Sequence, residues 1–336
     1  MAAGRLGEFE LIYQYLAPLA VGAGAAALRD DAATYCPEAG HELVISKDML
    51  AADRHFFACD PPEMIARKAL RVNFSDIAAK GARPKAVLLG LGLGADFTED
   101  FAKSFCKGLA EDLVGYGVEL LGGDTIASGA GLILSVTAFG EMPQGSCVRR
   151  FGARAGDIVY ATGTIGDAAL GLQLRLKSDA AQQWRLDGAR QRELLDRYLL
   201  PEPRVDAANA VRLYANAAMD VSDGLIADLA HICKQSGVDA HLDVSQVPLS
   251  AAAAQVVAQD TQALKTVLTG GDDYEILCTV AMENTGTFEA EMTRAGVPVR
   301  RIGRMLAPKA GAQGRVQLTH NGAAFSLDRE VGFRHF

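Results

Sequence analysis

Asp220 and Asp223 stand three residues apart, with Ser222 between them and Gly224 after, where the short apolar run Ala218-Met219 ends and a helical pattern begins. Leu225, Leu229 and Ile232 recur at near-helical spacing, with Asp228 and Lys234 on the other side. Ser222 or Asp223 can cap that helix. The amides of its first turn, reinforced by the helix dipole, are then available to an anion, while the two carboxylates are available to a cation. Asp220 and Asp223 could also be no more than turn formers, since Asp prefers turns. The pattern repeats, however. Asp30-Asp31, Asp76, Asp124 and Asp272-Asp273 lie beside glycine or a small residue at the edge of an apolar run, and Asp48 lies at the edge of another, between Lys47 and Met49.

Grouping these acids without cations would be costly, because like charges a few ångströms apart raise each other's pKa. Mg²⁺ takes oxygen ligands, keeps several waters, and is held by one or two carboxylates plus substrate phosphates. Several ions could share the aspartates if a polyphosphate bridged them. The expectation is therefore a magnesium-dependent nucleotide enzyme with its acids converging on one cluster. Gly122-Gly123-Asp124-Thr125 fits it, two glycines permitting close phosphate approach before a carboxylate, although GGDT could equally be a turn.

The bulk composition narrows the partners. With 41 Asp and Glu against 33 Lys and Arg, the net charge is −8, which offers nothing to nucleic acid. Phosphate would have to be held by helix ends, metals or single arginines. The six cysteines show no ligand spacing, so neither zinc nor a disulfide framework is expected. No run approaches the roughly 20 apolar residues of a membrane span, and the expected location is the cytoplasm.

The elements that must carry these residues follow in order. Residues 6 to 20 read as an amphipathic helix with Phe9, Ile12, Tyr13 and Leu16 on its apolar side, stopped by Pro18. Val21 to Leu28 reads as a flexible loop, and Leu43 to Ser46 as a short strand ending in Lys47-Asp48. The segment 63 to 81 is helical, with Asn73, Ser75 and Asp76 on its polar side and Ala66, Leu70 and Ile77 inward. Ala86 to Leu93 is a strand whose glycines suggest close backbone approach. Thr98 opens a long helix closed by Gly115 and Gly117, Val118 to Leu121 and Leu132 to Phe139 are strands, and Met142 to Gly145 marks the domain boundary. Beyond it come strand Ile158 to Ala161, a helix opened by TGTIGD, a charged and solvated excursion from Arg175 to Arg197, Pro201-Glu202-Pro203-Arg204, the DVSDGL motif, and Gly270-Gly271-Asp272-Asp273 feeding strand Ile276 to Val280. No GxxxxGK occurs. The fold class expected is α+β in two lobes, residues 1–142 with a mixed sheet and helices, and residues 143–336 as an α/β sandwich.

Taken in order, GEFELI (from Gly7), DDAA (from Asp30), the Ser46 to Phe56 segment, KALRVNFSDIAAKGARP (from Lys68), GGDT, RFGARAGD, TGTIGDAALGL, DVSDGL, GGDDYEI and a closing HF resemble the thiamine-monophosphate kinases nearly end to end. That family shares its fold with aminoimidazole ribonucleotide synthetase. The resemblance implies transfer of the ATP γ-phosphoryl group to thiamine monophosphate, giving thiamine diphosphate. It implies Mg²⁺ ligands at Asp30, Ser46, Lys47, Asp48, Asp76, Asp124, Asp220 and Asp223. It further implies ATP contacts at Gly123, Asp124, Arg150, Ser222 and Cys106, with thiamine contacts at His55, Asp272 and Phe333. Asp220, Asp223 and Arg150 would carry the chemistry, and a homodimer paired through the amino-terminal sheets is implied as well. Lys47 stands where a small hydroxyl residue is expected, and Cys106 where the family often has tyrosine. The alternatives are another ATP-dependent enzyme of the superfamily, or a nucleotide or metal binder without turnover. The relatives that use a cysteine or selenocysteine place it in an amino-terminal loop or at the carboxy terminus, and neither the loop before Asp30 nor Phe336 provides one.

Overall fold

The computed structural model describes residues 7–94, 97–309 and 314–327. The chain divides into two compact units, one running to Ile77 and resuming over Ala82–Gly145, the other made of Ala78–Gly81 together with Ser146 onward. Both mix strands and helices.

The first unit is a four-stranded sheet with helices. Helix α1 (Glu8–Leu11) continues into a π-helical turn at Ile12–Leu16 and a 3₁₀ turn at Ala17–Leu19. The winding therefore changes twice where a single α-helix was expected. Leu11 and Leu16 are buried whereas Phe9 and Tyr13 are exposed. Within Val21 to Leu28, expected to be a flexible loop, residues 23 to 28 are tightly wound instead. Ala23–Leu28 is 3₁₀-like, and Ala26, Ala27 and Leu28 all have positive φ, a conformation that L-residues rarely adopt.

Strand β1 (His41–Ala51) is longer than expected and runs straight through Lys47 and Asp48. Helix α2 (Pro62–Ala79) follows, then β2 (Arg83–Leu93), α3 (Glu99–Tyr116), β3 (Glu119–Ala127) and β4 (Ile133–Pro143). Thr98 caps α3 by accepting the Phe101 N–H at 3.2 Å, and Gly117 ends it in the left-handed conformation. The sheet order is β1-β4-β2-β3, parallel between β2 and β3 and antiparallel elsewhere, so β2 has partners on both sides. GGDT lies inside β3. A Cβ on Gly123 would sit 1.8 Å from the Leu89 carbonyl oxygen across the β2–β3 pair, which is what requires glycine there.

The second unit holds a mixed seven-stranded sheet. Its elements are β5 (Ile158–Thr162), α4 (Asp167–Leu176), α5 (Ala180–Gln183), α6 (Gly188–Leu199), α7 (Ala208–Tyr214), β6 (Ala215–Asp220), α8 (Leu225–Ser236) and β7 (Asp239–Asp243). After them come α9 (Ala251–Gln259), α10 (Ala263–Thr269), β8 (Ile276–Val280), α11 (Thr285–Arg294), β9 (Val299–Leu306), β10 (Val316–His320) and β11 (Ala323–Phe325). The order is β11-β10-β7-β9-β5-β8-β6, with only β10 and β7 parallel. The excursion expected to be solvated is anchored instead, because Ala180, Trp184, Leu186 and Leu194 enter the apolar core beside Leu170 and Val267. Lys80 belongs here too, its ammonium donating to the Ala218 carbonyl at 2.6 Å just before the end of β6.

Candidate functional site

In the first unit, strand alternation decides which acids meet. Ser46 and Asp48 point to one face of β1 and Lys47 to the other. On the first face Ser46 hydrogen-bonds the Asp76 carboxylate of α2. The Asp48 N–H donates to Asn73 Oδ1 at 3.0 Å, so the side of α2 expected to be polar is occupied by the edge of β1, with Asn73 and Ser75 fully buried. Burial, and secondarily the Asp76 carboxylate, push the Asp48 carboxyl up to about 7. Two acids and a hydroxyl thus form an oxygen-only set under electrostatic strain, which a divalent cation would relieve.

The other face opens onto a cavity of about 770 Å³ whose walls include Asp30, Asp31, Lys47, Gly123, Asp124 and Thr125. Phe9, Ile12, Tyr13 and Leu16 also line it, so the apolar residues of the first helix serve a cavity rather than a packed core. The Lys47 ammonium reaches Ser135 on β4, which explains how a lysine is accommodated among acids. Asp124 Oδ1 accepts the Thr125 N–H at 2.9 Å and Asp30 Oδ1 the Asp31 N–H at 2.8 Å. Among the described residues, no group of three or more His, Cys, Asp or Glu side chains is close enough to hold a metal. The first unit therefore presents its acids as smaller sets on two faces of one sheet.

His55 lies in the turn after β1, where its Nδ1 accepts the Ala51 N–H at 3.1 Å, a bond that puts the proton of the neutral ring on Nε2. Cys106 sits inside α3 against Leu91, Phe97 and Phe105, and burial raises its thiol to about 12. As a packed apolar group it offers no nucleophile.

The second unit carries the DVSDGL motif. Asp220 ends β6 buried, and Ser222 and Asp223 follow in a half-exposed turn. Here the structure corrects the assignment of Asp228 to the outer side of α8. Asp228 is fully buried, and its Oδ2 accepts the N–H groups of Ser222, Asp223 and Gly224 at 3.1, 3.2 and 3.2 Å. Asp228 thus fills the amides of the turn that leads into α8, ahead of the helix's own first residue Leu225. Burial, then the neighbouring Asp223, raise the Asp228 carboxyl to about 7. Its position five residues after Asp223 is the only sequence signal that could have revealed it.

Arg150 is exposed. The Arg149 carbonyl accepts the Ala218 N–H at 3.0 Å, which lays this stretch beside β6 near Asp220. Asp272 belongs to a loop bonded directly to the DVSDGL turn: the Asp272 N–H donates to Ser222 O and the Tyr274 N–H to Val221 O, each at 2.9 Å. The second unit therefore brings Asp220, Ser222, Asp223 and Asp272 together through main-chain bonds. Sequence reasoning missed Glu275, which is buried and gripped by Arg197 and Arg204. Phe333 lies outside the described residues.

A model of the AIR synthase related protein N-terminal domain matches residues 29–142, and one of the corresponding C-terminal domain matches residues 154–313. The thiamine-monophosphate kinase of Caulobacter vibrioides is 40% identical over 313 residues, covering 91% of this chain and 86% of that protein. The crystal structure of thiamine-monophosphate kinase from Stenotrophomonas maltophilia K279a superposes with a TM-score of 0.77 at 36% identity, covering 89% of this chain and 91% of that one. A structure of AaThiL complexed with AMPPCP and TMP gives a TM-score of 0.74 at 29% identity, over the full length of both chains. With both domain models matched and such identity along nearly its whole length, the chain belongs to the AIR synthase related family and, within it, to the thiamine-monophosphate kinases.

Proposed function

We propose that this chain transfers the γ-phosphoryl group of ATP to the phosphate of thiamine monophosphate, forming thiamine diphosphate and ADP in a Mg²⁺-dependent reaction. The observation that carries this reading is the near full-length identity to proteins of that name, 31–40% among those compared. Similarity to a protein solved with AMPPCP and TMP supports the substrate pair.

The residues suit the reaction. The acceptor is already an anionic phosphate and needs no general base, so catalysis can rest on positioning and charge neutralisation. Asp30, Asp48, Asp76 and Asp124 in the first unit, and Asp220 and Asp223 in the second, are the proposed magnesium ligands, with Ser46 assisting. Lys47 can contribute only its main-chain carbonyl, because an ammonium has no lone pair to offer a cation; its Nζ donates to Ser135 instead. Oxygen-only donors in small sets fit Mg²⁺, which would supply neutralisation of the phosphate charge. Gly123, Asp124 and Ser222 are proposed to contact ATP, and Arg150 to carry charge at the transferring group. The buried thiol of Cys106 supports a role in shaping a wall rather than in hydrogen bonding a base. His55 and Asp272 are proposed to face the thiamine moiety, the acid pairing with the cationic thiazolium or the aminopyrimidine, and Phe333 is proposed beside them.

We further propose a cytoplasmic homodimer. Among the described residues no helix is long and apolar enough to cross a membrane.

The deciding assay incubates the protein with ATP, Mg²⁺ and thiamine monophosphate and follows thiamine diphosphate directly, with free thiamine and aminoimidazole precursors as controls. Product from the monophosphate alone, abolished by EDTA, is expected. ATP binding with no product from any acceptor would sink the proposal.

A further inference from the structure

The proposed reaction leaves unused a heavily partnered buried acid in the second unit. Glu275 is fully buried. Its Oε1 accepts from Arg197 Nη2 at 2.7 Å and Arg204 Nη2 at 2.6 Å, and its Oε2 accepts from Arg204 Nε and Thr162 Oγ1, each at 2.7 Å. Arg204 therefore grips it as a two-pronged fork, a geometry that lysine cannot copy. Both arginines also reach Glu202, at 3.6 and 3.2 Å. The PEPR segment and the end of α6 thus converge on one carboxylate. Gly163 (φ +52°) yields space to it, since a Cβ there would lie 2.1 Å from Glu275 Oε1.

The main chain of Glu275 in turn holds the two acid-bearing loops. Its carbonyl accepts the Val221 N–H at 2.8 Å, between Asp220 and Ser222. With the bonds from Asp272 to Ser222 and from Tyr274 to Val221, three main-chain links tie the loops together. Asp272 and Tyr274 both have positive φ, +66° and +52°. Such conformations persist only where the surroundings impose them, and they gather at functional sites. Asp273, between them, is buried with Oδ1 fixed by the Gly166 N–H at 2.8 Å. A buried ion triad is weak evidence for stability, because apolar replacements of similar volume often do as well. What this one determines is where its neighbours stand.

We infer that Glu275, held by Arg197 and Arg204, is a positioning residue that sets Asp220, Ser222, Asp223 and Asp272 for phosphoryl transfer, acting through the backbone of both loops. This rests on the kinase reading, and the experiment has two arms so that the failure of either can be told apart. In the first, Arg204→Met, Arg204→Lys and Arg197→Met are compared with wild type for Tm, kcat and both KM values. Arg204→Met is expected to retain a cooperative melt while kcat per folded molecule falls about 10- to 100-fold, the cost of small misplacements. Arg204→Lys should recover part of the loss, and the half-saturating Mg²⁺ concentration should rise in every variant. In the second arm, hydrogen exchange at the amides of Val221, Asp272 and Tyr274 is followed without substrates. Faster exchange there in Arg204→Met, with the β8 amides unchanged, is expected whether or not wild type makes thiamine diphosphate. Variants that lower only Tm, with kcat and the exchange of those three amides as in wild type, overturn the inference. Wild type without product removes the kinase reading and leaves the exchange result to decide the coupling of the loops.

Discussion

A carboxylate held near neutrality by its surroundings costs the native state something whenever it ionises, and Asp228 turns that cost into a measurable slope. Unfolded, it titrates near 3.8, and folded at about 7. Between those values the native state binds the extra proton. The stabilising contribution is therefore complete below about pH 4 and drains away as pH rises towards 7, by at most about 1.4 kcal/mol per pH unit. Asp228→Asn cannot titrate and keeps an acceptor for the three amides. Metal-free melts at several pH values should show a shallower fall of stability between pH 4 and 7 in the variant, and an unchanged slope would assign the titration elsewhere. For Asp223→Asn we expect retention of the fold with loss of nearly all turnover, and a near-normal rate would remove Asp223 from the site. The aspartates of DVSDGL and GGDD were legible in the sequence because glycine beside aspartate at the end of an apolar run is a local signal. Asp228 and Glu275 were not, since their partners are backbone amides and arginines that only folding brings to them.

At the scale of elements, alternation along β1 separates Lys47 from Ser46 and Asp48, a distinction that sequence proximity hides. Reading GGDT as a possible turn likewise missed that β3 runs through it; the cross-strand contact that demands glycine at position 123 comes from Leu89, far away in sequence. Gly123→Ala is accordingly expected to lower Tm strongly and to reduce folded yield, checked by circular dichroism melts. If the variant melts like wild type, β2 and β3 tolerate separation there. Thr98→Ala provides the mild contrast, with a loss of about 1 kcal/mol from a single helix cap, read from denaturant titrations. The α3 helix was legible because both its ends carry local signals, a hydroxyl cap at Thr98 and a left-handed glycine at Gly117. The first helix was not, because nothing in its residue pattern announces a change from α to π and 3₁₀ winding.

For the whole molecule, the two-lobed α+β class was readable from the mixture of element types, whereas the assignment of Ala78–Gly81 to the second unit was not, because it rests on contacts between residues far apart in sequence, such as Lys80 with Ala218 and Val148, and not on composition. Removing divalent cations is expected to abolish turnover with little loss of secondary structure, and restoring Mg²⁺ should recover it. If EDTA-treated protein unfolded instead, the acids would be structural. The chain has one tryptophan, and Trp184 lies in the core of the second unit. Its fluorescence is consequently an optical probe of that unit alone, while far-ultraviolet circular dichroism averages over both. Coincident transitions by the two signals would mean that the units melt as one cooperative body. A tryptophan transition displaced from the dichroism curve would give, without any label, the separate stability of the half that carries DVSDGL.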